Sequence, residues 1–356
     1  MKQNTKKTIY LCAAAFLLSV LSSLAANLFI ISVVLMCACA GCYAIASMLS
    51  PSKTYLVVIP AAVLCAFVLS GSVPLAVISF APFLAGISIA YSAKARGERT
   101  GAIIKCDAIV FFVVLAAAAI EFYMANGTLA ASAVVNSFNE FFDTIETGIV
   151  NIYNEYLDDS ILGQINFSSY TKEEFLSTLA KEAVFTAKVI SPAIVITLLN
   201  IFSYISTAFF TLASRVSKTE LAIPGGKWLI VPSAISSWVF LVSVFVYFMI
   251  SLIASFAYAA SSSGLSMFAD VLEYAALNIT IILVPPMFIC GIRGLISKFR
   301  TPMFKRRAIV TVVIIVILVL LNPIVYGPVY AALFLALEGA WDMISYYRFK
   351  KYGKEQ

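Results

Sequence analysis

Between positions 308 and 321 the chain places one polar residue, Thr311, among thirteen aliphatic ones. A segment apolar at nearly every position cannot be a barrel strand, whose side chains alternate between lipid and lumen. The only other structure that satisfies its own backbone groups in hydrocarbon is the helix. Comparable runs recur along the chain. Apolar residues make up 62% of it and charged residues 12%, where a water-soluble chain carries about a quarter charged. The expected fold class is all-α, a polytopic bundle of transmembrane helices whose main partner is the lipid bilayer.

A helical crossing needs roughly 20 apolar residues. Ten stretches qualify as candidate spans, with eight to ten as the working range: 8–24, 28–49, 54–70, 74–93, 103–124, 184–213, 228–258, 271–293, 307–322 and 326–345. Counting alternately from an inside amino terminus puts the segments 94–105, 215–227, 293–307 and 348–354 on one side, together with Lys53. Of the 24 Lys and Arg residues, 21 then share that side. The other three, Lys172, Lys181 and Lys188, belong to or border one acidic insert on the opposite side. Cytoplasmic loops collect basic residues, so both termini are expected in the cytoplasm. The chain divides into amino-terminal spans (1–125), an extracytoplasmic insert (126–183) and carboxy-terminal spans (184–356).

Several function classes are disfavoured. The net charge of +6 lies at the flanks of apolar spans, where it meets anionic head groups; no basic face interleaved with aromatics suggests nucleic acid. There is no histidine, which removes the commonest general base and metal ligand. The seven cysteines all sit in or beside apolar stretches, and the C-x-x-C at Cys39 and Cys42 lacks a second pair, so small apolar packing is the expected role. No G-x-x-x-x-G-K-[ST], H-E-x-x-H or G-x-S-x-G is present. Neither an enzyme nor a cofactor is expected. At the amino terminus, Lys2, Lys6 and Lys7 before an apolar run imitate a secretory signal. A helical hairpin turning near 22–27 and a cleaved signal peptide are the two readings.

The insert holds nine of the 18 acidic residues. Phe138, Phe141, Phe142, Ile145, Ile149, Ile152, Tyr153 and Tyr156 recur at helical spacing, with Glu140, Asp143 and Asn154 on the other faces. An amphipathic helix is expected there, as a lid over the bundle mouth, a plain surface helix or a dimer contact. Residues 158–170 read as a loop. A capping box at Thr171 and Glu174 opens a second helix, expected to run into the sixth span and to bend at Ser191-Pro192.

Ionisable residues at membrane depth are functional candidates by default, since each costs about 2.5–3.5 kcal/mol on insertion scales. Glu121 and Lys188 stand near the outer ends of the fifth and sixth spans, placed either to pair or to snorkel. Glu338 and Asp342 are four apart on the last span; their repulsion calls for a cation, from Arg348 or from the stretch 298–307. Anchoring and ion or proton coupling are both open to them. Pro285-Pro286 interrupts the eighth span, and proline there frees carbonyls that must find partners. With Asn200, Asn278 and Thr280 it makes the candidate ligand pocket; a kinked helix satisfied by its neighbours is the alternative. Small residues at Ala15, Ser19, Ser23 and at Gly86, Ala90 mark close helix contacts.

The second half resembles the YybS-like family of bacterial membrane proteins, a family of uncharacterised function. The similarity rests on Ser191-Pro192 through Asn200 to Ser214-Arg215, with Ile223-Pro224 and Trp228 after it. It continues in Asn278 through Gly291-Ile292-Arg293-Gly294-Leu295, and in Gly339-Ala340-Trp341-Asp342 closing on Tyr347-Arg348. The resemblance implies a multi-pass protein of the bacterial cytoplasmic membrane. It also implies a distant similarity to the substrate-capture subunits of energy-coupling-factor transporters. Asn200, Asn278, Arg293, Asp342 and Arg348 are the positions on the family's pattern. The expected function is therefore binding or transport of a small-molecule ligand, with other membrane or ATPase subunits as partners. A non-enzymatic scaffold in envelope or sporulation processes is the second reading, and a lipid enzyme the third.

Overall fold

A computed structural model describes residues 2–50, 53–95, 99–156, 172–219, 232–259, 263–321 and 326–352 of the chain. Every regular element among them is helical. Twelve α-helices follow one another: α1 (Lys2–Leu24), α2 (Phe29–Leu49), α3 (Val58–Ser70), α4 (Val73–Ile78), α5 (Ala81–Ala95), α6 (Arg99–Asn126), α7 (Ala131–Tyr156), α8 (Lys172–Val216), α9 (Ala234–Ala259), α10 (Ser263–Arg300), α11 (Lys305–Leu321) and α12 (Tyr326–Tyr352). Seven helical stretches are long and apolar enough to cross a membrane: Thr5–Leu24, Phe29–Leu49, Val73–Ala95, Arg99–Asn126, Ala180–Val216, Ala234–Ile253 and Ala269–Arg300. The chain is an integral membrane protein. Three of the ten expected spans fall outside that set. Tyr55–Ser70 is a shorter apolar helix, α11 has 17 residues, and α12 carries Glu338, Asp342 and Arg348.

The chain forms two compact units, Met1–Ala117 with Ala193–Gln356, and Ala118–Pro192. In the larger unit α1 and α2 form the expected hairpin. Its small residues Ala15, Ser19 and Ser22 are buried. Ser32 Oγ donates to the Ser22 carbonyl at 3.0 Å and Cys39 Sγ to that of Ala15 at 3.2 Å, so the two backbones lie close, as small residues allow. Gly71 reverses the chain after α3 with a left-handed backbone (φ 62°), a conformation that costs a side-chain-bearing residue most. Large side chains such as Ile30, Val68 and Leu320 are more than 70% exposed. Lipid rather than water suits such a surface.

Two helix groups build the core of this unit. In the first, Cys37, Ala44 and Ile45 of α2 pack with Ala85 and Ile89 of α5, Cys106 and Val110 of α6, and Phe202 and Phe210 of α8. A Cβ on Gly41 would lie 2.6 Å from the Phe209 carbonyl carbon, which is why glycine stands where α2 meets α8. In the second, Phe240 and Val244 of α9 enclose Met287 of α10 with Ala336 and Ala340 of α12. Gly291 and Gly339 form the crossing of α10 and α12. A Cβ on either would overlap the partner's backbone, at the carbonyls of Leu335 and Met287 respectively. Ile103, Tyr204 and Ile289 join the two groups.

Both expected proline positions lie inside continuous helices, and the carbonyls freed by Pro285 and Pro192 have new donors. Pro285 lacks the N–H that would bond Ile281 within α10; Thr197 Oγ1 of α8 donates to the Ile281 carbonyl instead, at 3.1 Å. Pro192 likewise frees the carbonyl of Lys188, which accepts from Ser191 Oγ at 2.9 Å. The eighth span is a helix throughout and not a broken one.

The smaller unit contains α7 and the adjoining ends of α6 and α8. The amphipathic helix expected at 136–156 is α7, which buries Phe142 while Phe138 and Phe141 stay 46% and 60% exposed. The second helix of the insert continues without a break into the sixth span as α8. Thr171 and the loop 158–170 lie outside the described residues.

Candidate functional site

The helix directions bring several described basic residues of the larger unit to one end. Lys7 at the start of α1 donates to the Lys218 carbonyl just past the end of α8, at 3.2 Å. Arg99 at the start of α6 donates from Nε to Thr207 Oγ1 at 2.9 Å and from NH2 to the Tyr204 carbonyl at 3.2 Å, both late in α8. Thr197 meets Ile281 and Tyr204 lies within electrostatic reach of Cys290; with offsets of 84 and 86 residues, α8 and α10 run parallel. Gly291 against Gly339 and Gly294 against Asp342 share an offset of 48, so α12 is parallel as well. The Tyr347 hydroxyl donates to the Pro232 carbonyl ahead of α9 at 3.2 Å.

Two polar groups form at this end. One is an ion cluster between α10, α11 and α12. Lys298 Nζ reaches Glu338 Oε2 and Asp342 Oδ2, both at 2.8 Å, and Arg307 reaches Glu338 Oε1 at 3.3 Å. The cation that Glu338 and Asp342 require comes from the basic stretch and not from Arg348, which is exposed further along α12. Gly294 leaves the space that the Asp342 carboxylate fills.

The other group is a polar seam along α8. Arg99 is half-buried and gives its hydrogen bonds to two neutral oxygens; among the described residues no carboxylate pairs with it. A buried cation without a counter-charge is costly, and such groups are ordinarily paired. Arg293 lies within electrostatic reach of it, so a second positive charge adjoins the Arg99 guanidinium. One turn deeper, Asp107 of α6 and Ser203 of α8 are neighbours. Asp107 Oδ1 and the hydroxyls of Ser203 and Ser206 are buried without hydrogen-bond partners. Ser203, Ser206 and Thr207 are completely enclosed.

The pocket expected from the sequence is not assembled from its named residues. Asn200 Nδ2 bonds the Ile196 carbonyl at 2.9 Å, one turn back on its own helix. Asn278 Nδ2 bonds the Tyr274 carbonyl in the same way at 2.8 Å. The α8–α10 register sets Asn200 level with Val284, six residues from Asn278 and so about 9 Å along the axis at 1.5 Å per residue. Thr280 shares a 3.0 Å hydrogen bond with Ser243 of α9, and Pro285 is buried while Pro286 is half-buried. Glu121 and Lys188 make no ion pair with each other. Glu121 is exposed, and Lys188 Nζ lies 5.3 Å from the centre of the Phe142 ring, a cation–π arrangement.

Of the residues on the family pattern, Arg293 joins the seam. Arg99, Asp107, Ser203, Tyr204 and Thr207 escaped the sequence reading. Asp107 had a visible signal, being an acid four residues inside a span drawn from 103. Arg99 had none, since it reads as one more basic residue of an inner loop and only tertiary packing draws it against α8. Cys39 is buried and Cys42 half-buried, and both are unpaired, as are the other five cysteines; among the described residues no group of His, Cys, Asp and Glu is placed to hold a metal. Comparison with protein-family models, curated proteins and solved structures found no match for this chain.

Proposed function

We propose that this membrane protein binds and passes a small anionic solute at the seam formed by Arg99, Arg293, Tyr204 and Thr207. The observation that carries the proposal is the Arg99 guanidinium, held in a helix interface by two neutral oxygens with a second arginine nearby. A planar, permanently charged donor set of this kind suits phosphate or carboxylate. The basic end faces the cytoplasm in this reading, with both termini there and all ten apolar helices crossing, because translocated segments are poor in Lys and Arg. The membrane is the bacterial cytoplasmic membrane, on the strength of the YybS-like resemblance. Energy for transport against a gradient would come from a separate ATPase subunit.

The test is thermal melting of the purified protein in detergent with inorganic phosphate, sulfate and short mono- and dicarboxylates. A ligand at 100 times its Kd that binds only the folded state stabilises by about 2.7 kcal/mol. One anion class should raise the melting temperature of the wild type and fail to raise that of Arg99→Gln. If no anion shifts the wild type, the proposal is wrong.

A scaffold role is the second reading, favoured by the exposed Phe138 and Phe141 on the acidic helix α7. Loss of a defined co-purifying protein in Phe141→Ser, without any anion response in the wild type, would move the assignment there.

A further inference from the structure

Three acidic residues of the larger unit, Glu338, Asp342 and Asp107, stand in two contrasting situations. Glu338 and Asp342 are each within 2.8 Å of the Lys298 ammonium. Asp107 has no cation in ion-pair reach among the described residues, though it lies inside the helical span Arg99–Asn126. Its Oδ1 is buried and without a hydrogen-bond partner. The nearest polar group, the Ser203 hydroxyl, is fully enclosed and also unpartnered. A half-buried carboxylate in that setting has no counter-ion, and its enclosed Oδ1 is kept from water and has no donor in hydrogen-bond geometry. A carboxylic acid fits the same space. Its O–H donates to Ser203 Oγ, and the serine hydrogen remains free to turn towards a carbonyl, so both orphaned groups are satisfied by one proton.

We propose that Asp107 is a proton-binding site of the bundle, holding one exchangeable proton against Ser203 between α6 and α8. The balance is simple: a carboxylate oxygen takes H⁺ from solvent water, and the same proton returns to water when the acid ionises. The surrounding titratable groups leave the site as described. On its own helix Lys105 points to the Tyr91 ring, 4.8 Å from its centre, and Arg99 is engaged by Thr207. Cys106 beside it and Cys37 of α2 are buried thiols, and Tyr204 of α8 is a buried phenol. Arg293 of α10 adjoins Arg99. None supplies a cation to the carboxyl. The use of such a proton, as a coupling ion, rests on the solute-passage reading; its presence does not.

The experiment is infrared difference spectroscopy of the full chain in lipid nanodiscs with hydrogen–deuterium exchange, titrated through neutral pH. A protonated carboxyl band is expected to grow in for the wild type as the pH falls below neutrality. It should be absent in Asp107→Asn, moved in Ser203→Ala by loss of the hydrogen-bond partner, and unchanged in Glu338→Gln. Equal protonated-carboxyl intensity in the wild type and Asp107→Asn would overturn the proposal. Should Asp107→Asn fail to fold, Asp107→Glu decides instead: the band must shift, and an unshifted band overturns the assignment. No solute is added, so a failure to find an anion leaves this result standing on its own.

Discussion

Lys298 is the cation shared by Glu338 and Asp342 at the basic end. It bridges two carboxylates that stand one turn apart on α12 and would otherwise repel. Its side chain is 14% exposed, and those of Glu338 and Asp342 are 19% and 26% exposed. Removing one member of a fully buried pair costs about 3–5 kcal/mol, so with this much exposure Lys298→Ala should cost about 2–3 kcal/mol. Thermal melting in detergent checks this. Adding Asp342→Asn to Lys298→Ala should recover part of the loss, because the repulsion disappears with the second charge. Full additivity of the two substitutions would remove the bridging role. The requirement for a cation was legible from the spacing of Glu338 and Asp342 alone. Which cation answered it was not, since Arg348 is nearer in sequence and Lys298 is nearer in space.

At the scale of helices, proline organises how α8 meets α10. Pro285 leaves the Ile281 carbonyl without its intrahelical donor, and the Thr197 hydroxyl fills the gap from the neighbouring helix. A carbonyl unmet in an apolar interior costs about 1–3 kcal/mol, so Thr197→Val should destabilise by about that amount. In a Pro285→Ala background, residue 285 regains its N–H and the same substitution should cost less than about 0.5 kcal/mol. A double-mutant cycle on melting temperature measures the difference, and equal costs in both backgrounds would show that the two residues act independently. From the sequence two outcomes are open, an interrupted helix beside a ligand pocket and a helix whose freed carbonyl is satisfied by its neighbours; the structure has the second. The helix runs on through residues 263–300, because a hydroxyl at the right register satisfies the backbone more directly than an unwound turn does. Amphipathic α7 was equally legible, its aromatic residues recurring at 3.6-residue spacing.

For the whole molecule the decisive prediction is sidedness. Single cysteines introduced at Gly127 and at Thr301 in a cysteine-free chain probe the two ends of the spans. A membrane-impermeant thiol reagent applied to intact cells should label position 127 directly and position 301 only after permeabilisation. The reverse pattern would invert the topology and place the Arg99 seam at the outer face.

The all-helical fold, the membrane setting and the one-sided charge pattern belong to the sequence itself. Each depends on what a residue does alone in hydrocarbon or at its border, and such terms add along a chain without regard to neighbours. The polar seam belongs to the tertiary structure. Arg99, Asp107 and Ser203 are unremarkable in isolation: a loop cation, an acid near a span's end and one serine among many. Packing of α6 against α8 buries them together, and burial is what turns an ordinary charge into one that needs a partner.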